Sequence, residues 1–128
     1  MGPSEITNGI RVQVRPRFSP EHSDRQNQQW FFLYTVRISN EGGRAAQLLE
    51  RHWIITNAYG QVEEVRGPGV VGQQPLLKPG ESFEYTSGCP LETPFGTMEG
   101  TYRMVDSVGD HFDVVIPAFS LREPNSMQ

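Results

Sequence analysis

The sequence predicts an all-β domain, an immunoglobulin- or fibronectin type III-like β-sandwich of two antiparallel sheets with seven or eight strands. Three observations predict it. Apolar and polar residues alternate with a period of two along most of the chain, as in strands buried on one face. Thirteen Gly and ten Pro are spread along the chain as turn formers, which leaves little room for ordinary helices. The 128 residues, 36% of them apolar, suffice for one core and one domain over 1–128, with the core spanning about 6–122 and residues 123–128 expected to be disordered.

The elements follow in order. Ile10, Val12 and Val14 oppose Arg11, Gln13 and Arg15 in a first strand, and Pro16, which cannot donate to a ladder, places it at a sheet edge. Phe18 to Gln29 is polar and reads as a long exposed loop. Trp30, Phe32, Tyr34, Val36 and Ile38 share one face of a central strand. Its other face starts with Phe31 and Leu33, for which two-sided burial is favoured over an apolar patch offered to a partner.

After a turn at Asn40-Glu41-Gly42-Gly43, a strand carrying Leu48, Leu49, Trp53, Ile54 and Ile55 turns at Asn57-Ala58-Tyr59-Gly60 and pairs with Gln61 to Arg66. A glycine-rich loop, Gly67 to Gly72, and a Lys78-Pro79-Gly80 turn come next. Phe83 and Tyr85 alternate with Glu84 and Thr86 in a strand ending at Ser87-Gly88, followed by an irregular segment from Cys89 to Gly96. Met98, Gly100, Tyr102 and Met104 line one face of a long strand, and the Val108-Gly109-Asp110 turn leads to a last strand in which Phe112, Val114 and Ile116 alternate with His111, Asp113 and Val115. Trp53 on the third strand and Tyr102 near the start of a long one favour a sandwich over a barrel. Tyr102 suits a tyrosine corner and an ordinary core tyrosine equally.

Composition excludes several functions. A net charge of −4, a single Lys at Lys78 and ten scattered Arg argue against binding a nucleic acid duplex. Cys89 is the only cysteine, so no internal disulfide forms and a reducing, cytoplasmic compartment is expected. No 18-residue apolar stretch exists to span a membrane, and Ile6 at the sixth position breaks the myristoylation pattern.

Candidate chemistry is sparse. Gly67, Gly69 and Gly72 match G-x-G-x-x-G, but Pro75, Pro79 and Gly80 preclude the helix whose N-terminus binds a pyrophosphate in dinucleotide enzymes. The plain reading is a tight loop with positive φ at its glycines. A backbone anion nest is the alternative, with Arg66, Gly67, Gly69, Val70, Val71 and Gly72 as candidate ligand-binding residues.

His22, His52, His111 and Cys89 stand at no metal-ligand spacing, so neither a metal site nor a cofactor is expected. Asp106, Asp110 and Asp113 surround a turn that reads as solvated. Cys89 reads as a small buried hydrophobe, and Glu63 and Glu64 point to opposite faces of a strand and cannot form an acid–base pair. No catalytic residue is assigned, and the chain is not expected to be an enzyme.

Several spaced motifs agree in order: Arg51-x-Trp53-x-Ile55, Gly60, Val65-x-Gly67-x-Gly69-Val70-Val71-Gly72-x-x-Pro75, Pro79-Gly80-x-x-Phe83-x-Tyr85-Thr86-Ser87-Gly88, and Gly96-x-Met98-x-Gly100-x-Tyr102. Together they resemble the ApaG (CorD) family over roughly Ile6 to Arg122. The resemblance implies a fibronectin type III or immunoglobulin-like sandwich in a bacterial protein whose gene often neighbours a diadenosine tetraphosphatase, with links to cobalt resistance and magnesium efflux. It also implies protein-interaction modules, because similar eukaryotic domains sit in F-box proteins and in a DNA polymerase delta interacting protein.

The expectation is therefore a non-catalytic binding module for another protein, acting through end loops or by strand addition at an exposed edge. The alternative is phosphate, pyrophosphate or dinucleotide polyphosphate binding through the glycine-rich loop with Arg66. A hydrolase using a cation at Asp106 and Asp110 ranks last. Oligomeric state is left open, a homodimer included.

Overall fold

A computed structural model describes residues 2–124. Nine strands follow one another among them: β1 (Ser4–Thr7), β2 (Ile10–Phe18), β3 (Trp30–Asn40), β4 (Ala46–Asn57), β5 (Val62–Pro68), β6 (Leu76–Leu77), β7 (Ser82–Leu91), β8 (Phe95–Asp106) and β9 (His111–Arg122). They form two antiparallel sheets, one in the order β1-β2-β3-β7 and the other β5-β4-β8-β9 with β6 also on β4. Their inner faces bury Val12, Val14, Val36, Leu48, Trp53, Tyr102 and Val114. This is the β-sandwich the alternation predicts.

Tyr34 and Trp53 meet edge-on across the two layers, with ring centroids 5.3 Å apart, and Trp53 meets Tyr102 and Phe119 in the same manner. Among the described residues the only helical turns are two short 3₁₀ pieces, Pro20–His22 and Arg25–Asn27. No helix among them is long and apolar enough to cross a membrane.

Several details differ from the sequence expectations. The first strand is preceded by β1, whose hairpin pairs Thr7 with Ile10, so β1 and not β2 is the sheet edge. The Val14 N–H donates to Pro3 O on that side at 3.0 Å. Donors alternate along a strand, so the missing donor of Pro16 faces the same side, beyond the start of β1, and breaks no ladder bond.

The segment from Phe18 to Gln29 folds back on β3 instead of running free. Ser19 is fully buried, its N–H donates to Phe31 O, and Ser23 Oγ accepts from Phe31 N–H. His22 lies 5.6 Å from the Phe31 ring, so Phe31 and Leu33 end half-buried.

The seventh strand does not stop at Ser87-Gly88. It continues through Cys89 and Pro90 to Leu91, paired throughout with β3. As an edge strand it tolerates Pro90, and Gly88 leaves room for the Phe31 ring, which an added Cβ would meet at 2.2 Å.

The last strand changes phase at Pro117. Met98 pairs with Phe119 but Gly100 with Ile116, an extra residue on β9 that re-aims Phe119 and Leu121 into the core. Tyr102 makes no tyrosine corner, because its hydroxyl is hydrogen-bonded to the Tyr85 hydroxyl of the opposite sheet. Of the expected tail, Glu123 is buried, paired with Arg25, and donates its N–H to Pro94 O at 2.9 Å. Residues 125–128 lie outside the described residues.

Candidate functional site: the open side of the sandwich

The two long sides of the sandwich differ. On one, β1 and β2 pack against β9, and the Val115 N–H donates to Thr7 Oγ1 at 3.2 Å. On the other, β7 edges the first sheet and β5 the second, and a trough runs between them. Its wide end encloses about 840 Å³ and is lined by Trp30, Phe31, Ile55, Val62, Glu63, Pro90 and Leu91 among others. A narrower compartment of about 250 Å³ continues inward past Ile55, Val65, Cys89 and Met98. The last, of about 180 Å³, ends under Val70, Val71 and Gly72. The latter two share Tyr34, Arg51, Trp53 and Ser87 as walls.

The glycine-rich segment makes the roof of this inner end, and its geometry follows from β4. That strand carries a bulge between Leu48 and Glu50. Strand β5 pairs with β4 on one side of the bulge and β6 on the other, so the intervening residues are an interruption in one edge strand. They are tied to the bulge, with Gly69 N–H and Gln74 Nε2 both donating to Leu49 O at 2.8 and 3.0 Å.

Val70 and Gln73 exchange N–H···O bonds around a two-residue turn in which Val71 and Gly72 have φ of +43° and +79°. Positive φ at both central residues suits Gly72 but strains the β-branched Val71, whose side chain is 54% exposed at the tip. No helix follows Gly72, in line with the sequence reading.

The expected loop residues therefore separate. Gly69, Val70, Val71 and Gly72 sit together at the turn, but the N–H groups of Gly69 and Val70 are already spent inside the chain. Gly67 lies in β5 without a positive φ. What it provides is space: an added Cβ would stand 2.9 to 3.1 Å from the guanidinium of Arg51. Arg66 points to the outer face, where it lies 3.7 Å from Glu64. Val71 and Gly72 are the loop residues that face the inner compartment with N–H groups that meet no acceptor among the described residues.

Arg51 itself was not singled out as a site residue by the sequence. It shares the inward phase of β4 with Trp53 and Ile55, an unusual place for a charge. Its Nη1 donates to Pro68 O and Gly69 O at 2.9 and 3.1 Å, and no carboxylate among the described residues lies within ion-pair distance of it. The signal available in the sequence was the period of two, which puts Arg51 in phase with Trp53.

Burial controls the other ionisable groups here. It pushes the Cys89 thiol up to about 12, with Glu63 adding to the shift, and it raises Tyr34, whose hydroxyl interacts with Ser87. Tyr85 and Tyr102 are also raised, burial again being the main cause. Cys89 is 3% exposed and is a packing residue, as the sequence suggested.

Glu63 lines the trough while Glu64 lies outside it, hydrogen-bonded to His52 Nε2 at 2.8 Å. Asp106 caps its own turn by accepting from the N–H groups of Val108 and Asp110, which together with Arg44 hold its carboxyl below the usual range. Asp113 pairs instead with Arg103 on the outer face. No three of His, Cys, Asp and Glu among the described residues gather as a metal site would require.

The chain matches the ApaG domain over residues 20–106. Protein ApaG of Beijerinckia indica is 54% identical over 125 residues, covering 98% of this chain and 96% of that protein. Protein ApaG of Bordetella pertussis is 58% identical over 118 residues, covering 92% and 90%. A crystal structure described as that of an ApaA protein from Bordetella pertussis superposes with a TM-score of 0.88 at 56% identity, covering 98% of both chains.

Proposed function

Because the chain belongs to the ApaG domain family, and because its sandwich is closed on one side and open on the other, we propose that it is a non-catalytic binding module of the cytoplasm that docks another protein in the trough between β5 and β7. The open side carries this reading. Two neighbouring edge strands leave backbone donors and acceptors free to pair with an added extended segment, and the trough between them offers pockets for its side chains. Trp30, Phe31, Pro90 and Leu91 supply apolar contact area, and the polar rim of Gln28, Gln29 and Gln61 supplies hydrogen bonds. In this reading the family's tie to cobalt resistance and magnesium efflux runs through the docked partner.

The test is site-directed photo-crosslinking in the native host. Val62, on the trough, and Val108, in a distant turn, are 60% and 61% exposed, so exposure alone cannot distinguish them. A photoreactive residue at Val62 should capture a discrete partner that one at Val108 does not. Equal labelling from both, or none from Val62, overturns the reading. Phosphate or dinucleotide binding at the loop is the second reading, and the unused N–H groups of Val71 and Gly72 are what favour it. Pyrophosphate titration followed at these two amides decides it.

A further inference from the structure

Arg51 is the feature of the trough that packing alone explains least. Arg51 is half-buried at an inward position of β4, its guanidinium laid on the backbone of Gly67 and anchored by one of its two terminal nitrogens to Pro68 O and Gly69 O. Those two bonds use Nη1. Nη2 and Nε make none among the described residues, and no carboxylate neutralises the charge.

A guanidinium set between two sheets with part of its fork unused offers those N–H groups to an incoming acceptor, and the acceptor that suits a planar fork is a carboxylate. The surroundings narrow the choice. Trp53 and Tyr34 wall the compartment, and Ile55, Val65 and Met98 line its apolar continuation toward the wide end. A phosphate would ask for a cradle of several donors, whereas the loop above has spent the N–H groups of Gly69 and Val70 and leaves only those of Val71 and Gly72.

We propose that Arg51 is a carboxylate-recognition residue, which receives the C-terminal carboxylate of a peptide whose last residue lies in the inner end of the trough. The inference rests on the binding-module reading and adds the chemistry of one contact to it. Glu63 gives the trough a polarity. It stands beside Ile55, four residues along β4 from Arg51 and so about 13 Å away at the rise of a strand, and it favours a partner whose positive or N–H-rich part lies toward the wide end.

The compartment is small enough to test with a minimal probe, N-acetyl-L-leucine, against its uncharged control N-acetyl-L-leucinamide and against inorganic phosphate. NMR titration of the full chain should show saturable shifts of the Arg51 Nε–H and the Trp53 indole N–H with the acid, and flat signals with the amide. Arg51→Gln should weaken binding of the acid about ten- to hundredfold, the range for a hydrogen bond to a charged group.

Gly67→Ala is the second variant, because its new Cβ collides with the mobile end of Arg51 and with no backbone atom among its three nearest neighbours. It should keep the fold, displace the guanidinium and lose affinity likewise, which preserves the test if Arg51→Gln unfolds. Equal responses to acid and amide overturn the proposal. So do binding undiminished in both variants, no shift with the acid, and a tighter response to phosphate. A partner crosslinked from Val62 with equal yield in wild type and in Arg51→Gln would refute the carboxylate contact and leave the module standing. Acid binding without any crosslinked partner would do the reverse.

Discussion

The closed and open sides of this sandwich are made from the same alternating strands, yet they end differently. Where β2 faces β9, the inward positions Ile10, Val12, Val14, Val114 and Ile116 are all nearly or fully buried, and Val115 of β9 is hydrogen-bonded to Thr7 of β1. Where β7 faces β4 and β5, the inward positions include Arg51, Cys89 and Glu63, and β5 is exposed at most of its residues. The difference teaches that the layers close only where both supply uninterrupted apolar faces. Polar inward residues on one layer keep an edge of the other at a distance, and the space that results can admit a ligand.

The comparison can be broken most directly by equal truncations. Ile116→Ala on the closed side removes a side chain with no room for its neighbours to relax, and should cost about 3 to 5 kcal/mol. Ile55→Ala borders the trough, where water enters the space, and should cost no more than about 2 kcal/mol. Urea denaturation of the pair measures the gap. Equal losses would mean that the two sides are packed alike.

The Tyr85–Tyr102 hydroxyl pair, which bridges the sheets just inside the open side, should give the next largest effect. Either Tyr→Phe change alone leaves one buried hydroxyl without its partner, for about 1 to 3 kcal/mol, while the double change removes both and should cost less than the sum of the singles. A double-mutant cycle reads this. Strict additivity would show that the hydroxyls do not depend on one another.

The two sides should also govern opposite limbs of the pH dependence. Tyr34, Tyr85, Tyr102 and Cys89 hold their protons more tightly folded than unfolded. The unfolded chain releases them near the ordinary values of 9.0 for Cys and 10.0 for Tyr, so their contribution is fully present below that range and is lost as pH rises above it toward the raised folded values. Glu41 shifts the other way. Its carboxylate accepts from Arg11 Nε at 2.8 Å and is held below its ordinary 4.5, so its contribution is present above that range and lost as pH falls beneath it. Tyr85→Phe should flatten the alkaline limb of a stability profile and leave the acid limb unchanged, and Glu41→Gln should do the opposite. Cys89 should resist thiol reagents at pH 8 in the folded chain and react once urea is added.

The closed side was more legible in the sequence than the open one, for a physical reason. Ile10, Val12, Val14 and Phe112, Val114, Ile116 carry a period of two broken only by Val115, and local alternation suffices to place them. The missed element there, β1, had its own local signal. Asn8-Gly9 adopts φ of +47° and +80°, the two-residue hairpin turn that an Asn-Gly pair favours, and its short, exposed arm concealed it. The trough depends on what happens between layers, which no local pattern encodes. Arg51 matters because β5 brings Gly67 beside it and the bulge at Leu49 brings Gly69, contacts set by pairing register. Gly67 looked like part of a loop because three glycines fall close in sequence, although the chain divides them between a strand and a turn.

The smallest expected effect lies at the mouth of the trough, where it separates packing from polarity. Trp30 begins β3 and its Nε1 is buried without an acceptor among the described residues. Trp30→Phe removes this donor along with some ring area. The lost apolar contact destabilises by an amount similar to what the relief of a desolvated N–H returns, so the net change should stay within about 1 kcal/mol. A closed-side truncation shows no such cancellation, because every atom removed from Ile116 was apolar and in contact. If Trp30→Phe proved as costly as Ile116→Ala, the mouth of the trough would be packed core rather than a surface awaiting an acceptor, and the contrast between the two sides would fail at the place where a partner should enter.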